Sequence, residues 1–158
     1  MIKDTLILLL RSEENREIFL GLKKVGFGEG KFVGVGGGIE KGENKEQTAV
    51  RELYEETGIR IEESALNYCA ELTFVFPVRP KWNRVLYVFV VDQFEGEPQE
   101  SDEIEPHWFP IDELPLKNMW ADDAYWMKRV IAGEKLKGKF TFAYDNETVA
   151  GHKLKKMK

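Results

Sequence analysis

The chain has 158 residues, 42% hydrophobic and 12% aromatic, with a net charge of −5 and a pI near 5.2. Length and apolar content fit one compact domain over residues 1–158, and the acidic balance excludes a protein that grips long nucleic acids through clustered Lys and Arg. The single cysteine, Cys69, has no internal partner for a disulfide, so a cytoplasmic setting is the expectation, with a monomer as the expected state.

Residues 5–10 (TLILLL) are apolar but far short of the roughly 20 residues of a membrane span. They lack the basic flank and small-residue cleavage site of a signal peptide and read as a strand buried on both faces, so no membrane partner is expected. Residues 12–16 suit a turn and 17–24 (EIFLGLKK) a second strand, together a predicted hairpin. Residues 26–38 hold seven glycines in thirteen positions, which implies loop, tight strand and loop again. Asn44 as N-cap, Gln47 completing a capping box and Gly58 as a C′ residue predict a helix over 45–57. Its expected packing face is Val50, Leu53, Tyr54 and Thr57, and its other side is acidic.

Leu72, Phe74 and Phe76 alternate with Thr73 and Val75, and 84–94 is β-branched and aromatic, so both segments read as strands joined by a loop over 77–83. A turn-rich acidic stretch over 96–106, a short strand over 107–109 and a helix over 121–132 follow, with Asp122 and Asp123 in the first helical turn. Segments 139–144 and 148–154 are expected to pair around Asp145 and Asn146, and the basic tail 153–158 to be solvated. The only two histidines, His107 and His152, lack zinc-site spacing and read as structural or surface residues. Cys69 reads as a small packing residue in a strand.

The segment 37–59, GGIEKGENKEQTAVRELYEETGI, carries the chemistry. Glu52, Glu55 and Glu56 stand at i, i+3 and i+4, within an arc of about 100° on a helix. An acidic cluster alone is most often a solvated face, yet like charges at this spacing repel, and a hard divalent cation such as Mg²⁺ offsets them. Arg51, beside Glu55, can fix a carboxylate in place, and Glu43 can join from the loop. Gly37, Gly38 and Gly42 let the backbone turn tightly and approach a phosphate.

This segment resembles the Nudix box, G-x5-E-x7-R-E-U-x-E-E-x-G-U with U bulky and aliphatic: Gly37, Glu43, Arg51, Glu52, Leu53, Glu55, Glu56, Gly58 and Ile59 fill every defined position. The resemblance implies an α+β Nudix fold, an α/β/α sandwich around a mixed β-sheet, with a loop–helix–loop metal site. It implies attack of water on a phosphorus of a nucleoside diphosphate derivative, releasing a monophosphate and pyrophosphate from a triphosphate. The implied cofactor is Mg²⁺, with Mn²⁺ as a substitute. The implied metal set is Gly37, Glu52, Glu55, Glu56 and Glu103, with Arg51 in the catalytic group and the base one of Glu55, Glu56 or Glu103.

Over nearly the whole chain the sequence is similar to MutT-like oxidised-purine nucleoside triphosphatases, the 8-oxo-dGTP diphosphatase type, especially in 21–30, 100–109 and 116–126 (LKNMWADDAYW). In that group a Trp-x-Asp-Asp element lines the base pocket, here Trp120, Asp122 and Asp123, the indole stacking on the purine and the acids reading its edge. By residue type alone, Trp120 also suits a core and the two acids a helix N-terminus. Together, two adjacent acids can accept N–H groups and, if one is protonated, donate to a carbonyl. Thr5, Lys23 and Phe27 match further pocket positions, alongside Gly37 and Gly38. Lys23 otherwise reads as a surface-strand lysine, and Phe74 faces either the base or the core. Two positions depart from the relatives: Val33 stands where they carry a purine-bonding asparagine, and Gly38 where a lysine is common. The expected substrate is therefore an oxidised or otherwise modified purine nucleoside triphosphate. ADP-ribose, a nucleoside diphosphate sugar or a dinucleotide is the alternative, and a non-catalytic nucleotide-binding module a further one, which the intact acidic triad opposes.

Overall fold

A computed structural model describes residues 1–11 and 16–157. Nine strands, β1 (Ile2–Arg11), β2 (Glu17–Lys23), β3 (Phe32–Val33), β4 (Val35–Gly38), β5 (Asn67–Val75), β6 (Arg84–Val91), β7 (Ile104–Pro110), β8 (Leu136–Phe142) and β9 (Val149–Lys156), join two α-helices, α1 (Lys45–Thr57) and α2 (Asp123–Ile131). The strands form one mixed sheet: β1 runs parallel to β6 and β5 parallel to β8, and the other pairings are antiparallel.

The apolar run in β1 is continuous because both faces of the strand are covered. Ile7 and Leu9 enter one core with Ala49 and Leu53 of α1, while Leu8 and Leu10 enter the other with Trp126, Met127 and Val130 of α2. One helix thus lies on each side of the sheet, the expected α/β/α arrangement. Among the described residues no helix is long and apolar enough to cross a membrane.

The glycine-rich segment crosses from β2 to β1: β3 pairs with β2, and β4 pairs with the first half of β1. The backbones approach so closely that a Cβ on Gly34 would lie 2.8 Å from the Ile7 carbonyl oxygen, and one on Gly36 only 1.8 Å from that of Thr5. Side chains are excluded here by contact, independently of backbone conformation.

Several expectations are corrected. The packed face of α1 is Thr48, Ala49, Leu53, Glu56 and Thr57, whereas Val50 is half-buried and Tyr54 is 44% exposed. The face is rotated because Glu56 turns inward, its carboxylate accepting from the Gly36 N–H at 3.0 Å. β7 begins at Ile104, within the stretch expected to be turn, because it pairs along the whole of β2. β6 stops at Val91, β5 at Val75 before Phe76, and α2 starts two residues later than expected, at Asp123. The basic tail is largely the exposed edge strand β9, paired with β8. The expected turn over 12–16 lies, apart from Arg16, outside the described residues.

Candidate active site

Helix α1 begins where its capping box places it. The Asn44 side chain accepts from the Gln47 N–H at 2.8 Å, and the Gln47 side chain accepts from the Asn44 N–H at 2.9 Å. Two turns on, Arg51 gathers the loop and the helix. Its Nε and Nη2 donate to the two oxygens of Glu43 at 2.7 and 3.0 Å, and Nη1 donates to Glu52 at 2.9 Å and Glu55 at 3.1 Å. Nη2 also reaches the Gly38 carbonyl at 3.2 Å. The guanidinium holds the Glu43 carboxyl down at about 2, helped by the Thr48 hydroxyl, which donates to Glu43 at 2.8 Å. Arg51 is thus the joint that sets the helix carboxylates relative to the glycine turn.

The three box carboxylates occupy three depths. Glu55 is exposed, Glu52 is partly buried and Glu56 is 4% exposed. Burial, then the charges of Glu52 and Glu103, push the Glu56 carboxyl up to about 9, against the pull of Lys23 and the Gly36 N–H. Burial also raises Glu52, against the Arg51 guanidinium. Gly37 faces this cluster with no room for a side chain: a Cβ there would lie 2.5 Å from the Glu52 carboxyl carbon.

This donor set suits a hard divalent cation. Carboxylates that raise one another's proton affinity are what such an ion relieves, and one backbone N–H is the only hydrogen-bond donor to Glu56 among the described residues. Glu52 and Glu55 both accept from Arg51, and among the described residues no three acidic, His or Cys side chains converge on one point.

Beside Glu56 opens a cavity of about 280 Å³. All ten residues expected to meet substrate line it. Thr5, Gly37 and Gly38 come from β1 and β4, Lys23, Phe27 and Val33 from β2 and the glycine segment, and Phe74, Trp120, Asp122 and Asp123 from β5 and the start of α2. Glu52, Glu55, Arg51 and Glu103 lie outside its lining. Trp120 stacks on Phe27, with ring centroids 4.8 Å apart and planes 21° from parallel, and the Lys31 ammonium lies 4.9 Å from the indole. Phe74 is both wall and core, 6% exposed and stacked on Phe140.

Asp122 and Asp123 are both buried, and Asp122 accepts from the Trp126 indole N–H at 2.8 Å. Burial pushes Asp122 up to about 6, while the Trp126 and Asp123 hydrogen bonds pull it back. Burial, then the neighbouring Asp122 charge, raises Asp123 well above the carboxylate range. Both shifts run the same way, so the pair holds protons more tightly than free carboxylates, and a protonated acid donates where its ionised neighbour accepts.

Sequence reasoning missed Asp4 and Arg84, which also line the cavity and pair at 2.6 Å. They are 80 positions apart and meet only because β1 and β6 run parallel, so no local spacing reveals them. His107 binds Glu105 at 2.7 Å, His152 stacks on Phe140, and burial pushes the Cys69 thiol up to about 12. All three lie outside the cavity lining.

The model of the NUDIX domain matches residues 2–130. The chain is 38% identical over 154 residues to the oxidized purine nucleoside triphosphate hydrolase of Danio rerio, covering 98% of this chain and 96% of that protein. It is 35% identical to the enzyme of the same name from Mus musculus, covering 97% and 94%. Among solved structures, a mutator MutT protein from Bacillus halodurans superposes with a TM-score of 0.78 over 98% of this chain and 97% of that one, at 23% identity. Hydrolases of this family use a divalent metal and act on small nucleotides. A complete box on α1, a sheet covered by one helix on each side and a match across most of the chain agree: the protein belongs to the Nudix domain family.

Proposed function

We propose that this Nudix hydrolase is a Mg²⁺-dependent pyrophosphohydrolase of purine nucleoside triphosphates with an oxidised base, such as 8-oxo-dGTP, releasing the monophosphate and pyrophosphate. In this reading the chain works as one domain, a monomer in the cytoplasm, and clears damaged nucleotides from the precursor pool. The observation that carries it is that one cavity is lined both by Glu56 and Gly37 and by Trp120, Asp122 and Asp123. The names of the two relatives that match nearly end to end support the same substrate class.

Glu52, Glu55 and Glu56 would hold the cation, with Gly37 and Glu103 beside them. When bound, the cation neutralises phosphate charge and lowers the pKa of the attacking water. The protein's own groups do the rest. Arg51 keeps Glu52 and Glu55 in register with the glycine turn. Gly37 leaves space for a phosphate chain at the acidic cluster, and Lys23 supplies a positive charge at the cavity. Trp120 offers a flat face to the base, and the acid pair, with one member protonated, offers it a donor and an acceptor.

Steady-state rates on dGTP, 8-oxo-dGTP, 2-hydroxy-dATP, ADP-ribose and a dinucleoside polyphosphate test the reading. Oxidised purines are expected to show the highest kcat/KM. Preference for ADP-ribose or the dinucleotide would overturn the substrate assignment and leave the hydrolase intact.

A further inference from the structure

Residues 100–105 (ESDEIE) carry four carboxylates in six positions, and one of them, Glu103, comes close to the acidic cluster of α1. The sheet brings it there. Lys23 at the end of β2 lines the cavity with Glu56 and pairs with Ile104, the first residue of β7, so Glu103 stands one position beyond the last paired residue. Beyond burial, the Glu103 charge also raises the Glu52 and Glu56 carboxyls. Like charges this near repel, and Glu103 lies past the strand pairing that would hold an interior residue against the push.

Lys24 supplies the restraint. Its main-chain N–H donates to the Glu103 carbonyl at 2.7 Å, and its ammonium donates to the Ser101 carbonyl at 2.9 Å and to the Glu100 carboxylate. The segment it grips is a closed turn. The Ser101 N–H donates to the Ile104 carbonyl at 3.1 Å, and the Ser101 hydroxyl accepts from the N–H groups of Glu103 and Ile104, each at 3.3 Å. Fixing the Ser101 carbonyl therefore fixes the backbone that carries Glu103. Among the described residues no other Lys or Arg side chain donates to residues 100–105.

The Lys24 and Glu100 side chains are 33% and 57% exposed, and an ion pair so open to water adds little stability. The effect expected of Lys24 is thus on where Glu103 stands and not on the fold. Taking Glu103 as a member of the cation site, as above, we propose that Lys24 is a positioning residue for the hydrolysis. It holds the turn against the repulsion of the carboxylate cluster and keeps Glu103 within reach of the bound cation.

The test follows Mn²⁺ binding, by the paramagnetic resonance signal of the free ion, to the full chain and to K24M, K24R, E103Q and K24M/E103Q. K24M keeps the length of the side chain and loses its charge and donors. It is expected to weaken Mn²⁺ binding by about 10-fold, the lower end for a group one contact removed from a ligand. The Mg²⁺ concentration that half-saturates pyrophosphate release should rise by a similar factor. K24R keeps a cation and donors and should bind Mn²⁺ within about 3-fold of the wild type. With metal removed by a chelator, K24M should melt within about 2 °C of the wild type. E103Q should weaken binding at least as much as K24M, and adding K24M to it should cost less than about 2-fold more, because the tether acts only through that carboxylate.

If E103Q binds Mn²⁺ as the wild type does, Glu103 is outside the cation site and the proposal falls with that reading. Three results keep Glu103 in the site and overturn the role of Lys24: unchanged binding in K24M, losses that multiply in the double variant, or K24R no better than K24M. A metal-free melting temperature many degrees lower in K24M would make Lys24 a structural residue and overturn it as well.

Discussion

Asp123 is a carboxyl whose surroundings oppose its charge: it is 7% exposed and sits beside a second buried acid. Asp122 moves from 3.8 to about 6 on folding, and Asp123 moves further in the same direction. The folded state therefore binds more protons than the unfolded chain above about pH 4. Stability from the pair is complete below that pH and falls as pH rises through about 6 and beyond. Asp123→Asn imitates the protonated acid and is expected to be more stable than the wild type at pH 7.5, by on the order of 1–3 kcal/mol. Its stability should also vary less between pH 4 and 7. Chemical denaturation across that range checks both, and a variant less stable at pH 7.5 would mean that Asp123 is ionised in the fold. At this scale Trp120, Asp122 and Asp123 were legible because they are neighbours in sequence within a known pattern. The surroundings of Trp120 were not, since Phe27, Phe76 and Phe142, which pack against it, come from other elements.

Strand β4 separates packing from chemistry at two adjacent glycines. A methyl group on Gly36 would meet the Thr5 carbonyl oxygen at 1.8 Å, main chain that cannot give way, whereas on Gly37 it would meet the movable Glu52 carboxyl at 2.5 Å. Gly36→Ala is expected to lose more than about 3 kcal/mol of stability. Gly37→Ala should melt within a few degrees of the wild type yet lose at least about 10-fold in kcat, because Glu52 is displaced. Thermal unfolding and pyrophosphate release measure the two, and equal destabilisation by both would contradict the separation. The bounds of α1 were legible because Asn44, Gln47 and Gly58 are local signals, and a local signal acts whatever the fold. Its packing face was misread because Glu56 is charged, and only the position of β4 shows that a backbone N–H meets it on the inner side.

For the whole molecule, the net charge of −5 matters less than its concentration around Glu52, Glu56 and Glu103. A ligand bound only by the folded state stabilises it, by about 2.7 kcal/mol at a hundredfold excess over Kd. Saturating Mg²⁺ is therefore expected to raise Tm by about 5–10 °C. Glu56→Gln should keep the fold, lose most of that shift and abolish pyrophosphate release. An undiminished Mg²⁺ shift with unchanged turnover in this variant would remove Glu56 from the site. By itself the sequence determined the family, the helix that carries the box, and the Trp-x-Asp-Asp element, because each is written as short-range spacing that needs no partner. Only the tertiary structure decided which carboxylate is buried, that Gly37 and Glu56 share one cavity with Trp120, Asp122 and Asp123, and that Arg84 and Asp4 belong to it. Those depend on parallel pairing between β1 and β6 and on two helices closing opposite faces of one sheet, contacts between segments tens of residues apart that no local pattern encodes.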